Sequence, residues 1–131
     1  MKLILAGKYQ FGEEFAWKHF GPGRTMSLTA LLDNNFASEV LHRDNIKFVN
    51  NMSEFVEDCL SFKKDPLSLL ELLIQINPDV IIITDEIGNG LIPLDRKDRN
   101  FRELVGNINK FLASISSEVY KVSCGIGVQL K

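Results

Sequence analysis

Two carboxylates, Asp85 and Glu86, come after a run of four β-branched apolar residues, Val80-Ile81-Ile82-Ile83, with Thr84 between the run and the pair. Such a run is typical of a strand that is buried on both faces, as in parallel sheets covered by helices. Because ligands bind at the carboxyl ends of parallel strands, the pair lies where Mg²⁺ and the nucleotide phosphates that it bridges would be found. A second interpretation is that the carboxylates only cap the next helix and that Gly88-Asn89-Gly90 only forms a turn.

Alternating strand and helix patterns predict the elements that would position this pair. The predicted strands cover residues 3–6, 26–32, 80–83 and 119–124, and the predicted helices cover 13–20, 46–62, 67–76 and 99–116. The helix at 46–62 is predicted from apolar residues that recur mostly at intervals of three and four. Asp65-Pro66 opens the next helix, with proline in its first turn. This alternation predicts a three-layer α/β domain with a small, mainly parallel sheet.

Composition and charge restrict the classes of partner. The chain has 131 residues, 45% of them apolar and 24% charged, as expected for one globular domain spanning residues 1–131. A net charge of −2 and a pI near 5.7 disfavour nucleic acid as the main partner. Neither a membrane span nor a signal peptide is predicted. Cys59 and Cys124 fit neither a disulfide framework nor a zinc site, so we expect reduced, buried thiols in a cytoplasmic protein.

Residues 80–131 carry an ordered set of signatures that resembles the C-terminal half of the adenosylcobinamide kinase / adenosylcobinamide-phosphate guanylyltransferase family of cobalamin biosynthesis. The signatures are Asp85–Pro93, Arg99–Asn109, Glu118-Val119-Tyr120, Gly125-Ile126 and Leu130-Lys131. The resemblance implies a P-loop NTPase-like fold in which ATP or GTP, with Mg²⁺, phosphorylates the aminopropanol hydroxyl of adenosylcobinamide. It also implies a second reaction that transfers GMP from GTP to the product. Related full-length enzymes form rings of subunits, so a homo-oligomer is expected.

The resemblance assigns roles to four residues of this half. Asp85 and Glu86 match the acidic pair near the metal and the nucleotide, and they are the candidate metal ligands and catalytic carboxylates. Arg99 and Arg102 match the arginines of the signature helix. Arginine suits a phosphate site because its planar group pairs with phosphate bidentately and keeps its charge. Without the resemblance, the two arginines would be read as a solvated or salt-bridged helix face.

The candidate phosphate loop in the N-terminal half departs from the family. A P-loop has the pattern Gly-x-x-x-x-Gly-Lys-Ser/Thr: its amides surround the phosphates, its lysine neutralises them and its hydroxyl binds Mg²⁺. Gly7 and Gly12 have this spacing, but Glu13 and Glu14 stand at the lysine and Ser/Thr positions. The candidate nucleotide-binding residues of the loop are Gly7, Lys8, Tyr9, Gln10 and Gly12.

No register of the loop restores the catalytic lysine. If the motif instead begins at Ala6, Phe11 and Gly12 replace the second glycine and the lysine. A carboxylate in place of a cation beside a polyphosphate disfavours tight binding of an ordinary nucleotide. Lys8 either approaches the phosphates from the other side of the loop or faces solvent.

Guanylyl transfer would need a histidine nucleophile, and the chain has two histidines. His19, at the end of a predicted helix, is expected to cap the last carbonyls or to meet the helix dipole. His42 is the better catalytic candidate, with Arg43 available for a phosphate and Asp44 to orient the ring. The alternative is that His42 is an ordinary surface histidine.

Two function classes follow. The first is a short cobinamide kinase-like enzyme that acts on nucleotide and corrinoid small molecules with Mg²⁺ at Asp85 and Glu86. The second is a non-catalytic relative that has lost phosphoryl transfer and serves as a corrinoid-binding or subunit-assembly partner. The missing lysine favours the second class, and the C-terminal signatures favour retained ligand binding.

Overall fold

The computed structural model describes residues 1–33, 45–85 and 96–131. The strands are β1 (Lys2–Ala6), β2 (Arg24–Ser27), β3 (Ile46–Asn50), β4 (Ile81–Thr84), β5 (Glu118–Ser123) and β6 (Ile126–Gln129). The helices are α1 (Gly12–Phe20), α2 (Met52–Ser61), α3 (Pro66–Ile76) and α4 (Arg96–Ile115), with a short 3-10 helix at Leu28–Leu32. Among these residues no helix is long and apolar enough to cross a bilayer.

The strands form one six-stranded sheet in the order β2-β3-β4-β1-β5-β6. All neighbouring strands pair in parallel except β5 and β6, which pair antiparallel. In the middle of the sheet, Leu3 of β1 lies opposite Ile82 of β4 and Val119 of β5. The predicted α/β class with a mainly parallel sheet is confirmed.

Helices cover both faces of the sheet. On one face, α1 packs through Ala16 against Ile4, Phe48 and Tyr120. On the other face, α2, α3 and α4 surround a larger core, with these fully buried side chains: Leu3, Phe55, Leu70, Leu73, Ile82, Ile108 and Leu112. The chain therefore turns to opposite faces after the adjacent strands β1 and β4. In open α/β sheets such a switch point opens a crevice at the carboxyl ends of the two strands.

Several predicted elements need correction. Residues 46–62 are not one helix: β3 ends at Asn50 and α2 begins at Met52. A strand buried on both faces has apolar residues at many positions, and those of β3 have the same three-and-four spacing as the apolar residues of the helix that follows it. Residues 26–32 are mostly a 3-10 helix behind the short strand β2, and β6 was not predicted.

The helix after Asp65 forms as predicted. Asp65 is its N-cap and accepts hydrogen bonds from the Leu67 amide (3.2 Å) and the Ser68 hydroxyl (2.7 Å). Pro66 occupies the first helical position, where a missing N–H costs nothing because that group has no helical partner.

The two cysteines differ. Cys59 is fully buried in the larger core, and burial, with a smaller contribution from Asp58 and Asp65, raises the pKa of its thiol to about 11. It is therefore a neutral apolar group at physiological pH. Cys124 is exposed in the turn between β5 and β6, so the expectation that both thiols are buried was wrong.

Candidate functional site

A cavity of about 370 Å³ opens at the switch point. It is bounded by the loop after β1, the first turn of α1 and the carboxyl ends of β3 and β4. Its lining residues are Ala6, Gly7, Lys8, Tyr9, Phe11, Gly12, Glu13, Glu14, Asn50, Asn51, Ile83 and Asp85. The fold thus brings the predicted loop residues Gly7, Lys8, Tyr9 and Gly12 together with Asp85.

The backbone around this cavity contains three non-glycine residues in the left-handed region. Their φ angles are 65° for Tyr9, 64° for Phe11 and 63° for Asn51. Phe11 and Asn51 are the N-cap positions of α1 and α2, and neither side chain caps its helix. Backbone held in sparsely populated regions costs about 1–3 kcal/mol at each residue and tends to cluster at functional sites. The strain indicates that the loop is constrained to one shape.

Gly12 lets α1 approach the sheet closely. A Cβ at this position would lie 2.6 Å from Cβ of Ala6 and 3.4 Å from a methyl carbon of Ile83. The second glycine of the candidate loop is therefore required by packing, whatever ligand the loop binds.

We expect Gly12→Ala to lower the free energy of unfolding by about 1–3 kcal/mol, because neither Ala6 nor the strand beneath it can move aside cheaply. Gly106→Ala is the matched control. It adds a Cβ that meets nothing within 4 Å on the exposed side of α4, and should raise stability by up to about 1 kcal/mol. Urea unfolding of the two variants measures both changes. A Gly12→Ala variant as stable as the wild type would contradict the packing explanation.

Gln10 anchors the loop to the hairpin turn between β5 and β6. Its carbonyl accepts a hydrogen bond from the Gly125 amide (3.0 Å), and its side-chain Oε1 accepts one from the Cys124 amide (2.7 Å). Gln10 was predicted to bind nucleotide directly, but it does not line the cavity. Its two hydrogen bonds fix the loop to the β5–β6 turn, outside the cavity.

Asp85 projects from the end of β4 and is held by two neighbouring helices. The Ser53 hydroxyl of α2 donates to Asp85 Oδ2 at 2.9 Å. The Asn109 side-chain amide of α4 donates to the Asp85 carbonyl at 3.2 Å and accepts from the buried Thr84 hydroxyl at 2.8 Å. Ser53 and Asn109 were not assigned a role from the sequence, because nothing in their local pattern shows that they contact Asp85.

The donor set at Asp85 suits Mg²⁺ bound through a nucleotide. Mg²⁺ usually takes one or two carboxylates together with substrate phosphates and water. In the described ranges 1–33, 45–85 and 96–131, no three histidine, cysteine or acidic side chains converge to hold a metal by themselves. Glu86, the second predicted metal ligand, lies outside the described residues.

Among the described side chains that line the cavity, carboxylates outnumber cations. Glu13, Glu14 and Asp85 are acidic and Lys8 is basic. The Asn50 amide donates to Glu13, and Lys18 pairs with Glu14 at 2.8 Å. Lys8 Nζ lies 5.6 Å from the centroid of the Tyr9 ring. The predicted substitution of carboxylates at the lysine and Ser/Thr positions therefore places negative charge in the cavity wall.

The two predicted arginines lie on α4 and do not line this cavity. Arg99 is exposed, and Arg102 is half-buried, with its Nε 3.2 Å from Asp98 Oδ2. Their assignment to phosphate stays a prediction.

One of the two histidines lies among the described residues. His19 stacks on Phe15 with 5.2 Å between ring centroids, and its Nε2 is 3.3 Å from the Tyr120 hydroxyl oxygen. Lys47 Nζ, not His19, reaches the carbonyls of Phe20 and Gly21. His19 does lie in the last turn of α1, where the alternative, an interaction with the helix dipole, places it. His42 lies outside the described residues.

Comparison with known proteins bears on the predicted family resemblance. A family model described as cobinamide kinase / cobinamide phosphate guanyltransferase (CobU) matches residues 23–130. The bifunctional adenosylcobalamin biosynthesis proteins CobU of Escherichia coli (strain K12) and Salmonella typhimurium (strain LT2) are each 42% identical to this chain over 52 residues. The aligned segment is 40% of this chain and 29% of each relative, so the chain matches less than a third of those relatives' length. The family match begins beyond the Gly7–Gly12 loop.

Proposed function

This chain belongs to the cobinamide kinase / cobinamide phosphate guanyltransferase family, and from that membership we propose that it binds a magnesium nucleotide and phosphorylates a cobinamide-type corrinoid in cobalamin biosynthesis. The observation that supports this most directly is the cavity at the switch point, where Asp85, hydrogen-bonded by Ser53, faces a constrained glycine loop. GTP or ATP would be the phosphoryl donor. The proposal places the protein in the cytoplasm and includes assembly into a homo-oligomer.

Each part of the cavity has a role in this proposal. Asp85, with Glu86, would hold Mg²⁺, which when bound neutralises charge on the phosphates. The loop amides between Gly7 and Gly12 would orient the phosphates, and Lys8 would supply the positive charge that the motif lacks at position 13. Transfer of GMP would use His42 as the nucleophile, with Arg99 and Arg102 on phosphate.

A second candidate function is favoured by the acidic wall of the cavity. Glu13 and Glu14 both line it, where a catalytic loop would present lysine and a hydroxyl. In that case the domain has lost phosphoryl transfer and binds a corrinoid or another subunit. A cobinamide corrinoid, with its amides and hydroxyl, would tolerate nearby carboxylates better than a polyphosphate does.

Thermal unfolding with and without MgGTP or MgATP separates the two candidates. A ligand at about 100 times its Kd adds about 2.7 kcal/mol, or several degrees in Tm for a domain of this size. We expect this rise in the wild type and its loss in Asp85→Asn, whose amide oxygen still accepts from Ser53. The matched control is Asp79→Ala, an exposed carboxylate outside the cavity, which should keep the rise.

Each outcome of the thermal unfolding experiment supports a different candidate function. A rise that depends on Asp85 supports nucleotide binding and justifies an assay of cobinamide phosphorylation with purified protein. No rise with either nucleotide at millimolar concentration would contradict the kinase proposal. Stabilisation by cobinamide alone would then support the non-catalytic candidate.

A further inference from the structure

The rim of the cavity carries two large aromatic side chains that are open to solvent. Tyr9 is 81% exposed and Phe11 is 58% exposed, and both line the cavity. An aromatic side chain stabilises a fold mainly by burying its surface. These two rings leave most of that surface in water, so folding gains little from them.

Backbone conformation also disfavours aromatic residues at these two positions. Both residues have φ near 65°, a region that glycine adopts freely and that asparagine tolerates. The loop is nevertheless held in this form, because Gln10, between the two rings, is hydrogen-bonded to the β5–β6 turn through its carbonyl and its side chain. Two exposed rings are thus presented on an anchored loop at positions where smaller residues would be less strained.

We infer that Tyr9 and Phe11 form an aromatic rim that stacks on the purine base of the bound nucleotide. This inference rests on the proposed function and adds to it the subsite for the base. A base is a flat, uncharged π-system, and stacking on aromatic side chains does not require the cationic surroundings that phosphates need. The carboxylates of the cavity wall weaken phosphate contacts, so base stacking would supply a larger share of the affinity.

The position of Lys8 agrees with this arrangement. Its Nζ lies 5.6 Å from the Tyr9 ring centroid, so the cation and the ring share one edge of the cavity. A nucleotide that stacks its base on the rim would direct its phosphates past Lys8 toward Asp85. With about 370 Å³, the cavity is at the small end of ligand sites and suits a nucleotide better than a whole corrin macrocycle.

The test compares two ligands, MgGTP and magnesium tripolyphosphate, which has the phosphates without the base. Tyr9→Asn and Phe11→Gly remove the rings while favouring the observed backbone. Each is expected to raise the Kd of MgGTP about tenfold, in the range measured for single base-stacking contacts. The Kd of tripolyphosphate and the Tm without ligand should not worsen. Tyr9→Phe keeps a ring and should bind MgGTP as the wild type does.

Phe62→Ala is the matched control, because Phe62 is 67% exposed and does not line the cavity. It should leave both dissociation constants unchanged. If MgGTP binds and neither ring variant weakens it, the inference is wrong and the proposed function stands. If the wild type binds neither MgGTP nor tripolyphosphate, both fail. Weakened binding of cobinamide with unchanged binding of MgGTP would assign the rim to the corrinoid and overturn the inference.

Discussion

Replacing Glu13 by lysine and Glu14 by serine is expected to tighten the binding of MgGTP at least tenfold. The double variant restores the pattern Gly-x-x-x-x-Gly-Lys-Ser on a loop whose two glycines already have the required spacing. Two unit charges 4 Å apart interact by about 4 kcal/mol at the effective dielectric of a protein surface, and here the sign of one such contact is reversed. Both glutamates are exposed, so screening reduces the gain, and tenfold is a conservative expectation.

Isothermal titration with MgGTP measures the gain. The control is Glu71→Lys with Glu103→Ser, which changes the net charge by the same amount at exposed sites outside the cavity. A similar gain in that control would mean that long-range charge, not the loop, improves binding. The unfolding curve of each variant without ligand must also be recorded, because Glu13 accepts a hydrogen bond from Asn50 and Glu14 pairs with Lys18.

The same titration shows whether Glu13 and Glu14 are the cause if the wild type binds MgGTP weakly. If the restored loop binds MgGTP and the wild type does not, the two carboxylates alone have removed nucleotide binding from an otherwise competent cavity. That result would favour the non-catalytic candidate for the natural chain. If the restored loop also fails to bind, its amides do not form a phosphate site, and the cavity serves another ligand.

The sequence predicted the centre of the sheet and the position of Asp85 correctly, because both follow from local patterns. A run of β-branched residues is typical of a strand buried on both faces. The residue after a parallel strand lies at the carboxyl end of the sheet, where ligands bind in such folds. Likewise, Asp65-Pro66 begins a helix through contacts within four residues of itself. Such features need no knowledge of distant parts of the chain.

The features that were predicted wrongly or not predicted depend on contacts between residues that are far apart in the sequence. The segment of β3 was predicted as part of a helix because Ile46, Val49 and Met52 have helical spacing. Its extended form depends on pairing with β2 and β4, which lie elsewhere in the sequence. Ser53 and Asn109 could not be assigned to the site because they reach Asp85 across 32 and 24 residues of sequence. The contact of Gln10 with Cys124 was not predicted because it depends on a hairpin that was not predicted either.

Removing the Asn109 side chain is expected to destabilise the protein and to weaken its site. In Asn109→Leu the fully buried Thr84 hydroxyl loses its acceptor, and the Asp85 carbonyl loses a donor. A buried polar group left without a partner costs about 1–3 kcal/mol, so we expect a decrease of that size in the free energy of unfolding. Urea denaturation measures the decrease. An unchanged midpoint would show that the pair contributes nothing to stability.

The double variant Thr84→Val with Asn109→Leu separates the structural role of Asn109 from its positioning role. Replacing both polar partners by apolar groups removes the unpaired hydroxyl, so we expect most of the lost stability to return. The Asp85 carbonyl still lacks its donor in this variant. The position of the Asp85 carboxylate, which would hold Mg²⁺, depends on the position of this backbone. MgGTP affinity should therefore stay low while stability recovers. If affinity recovers together with stability, Asn109 acts only through the fold, and Ser53 alone is sufficient to orient Asp85.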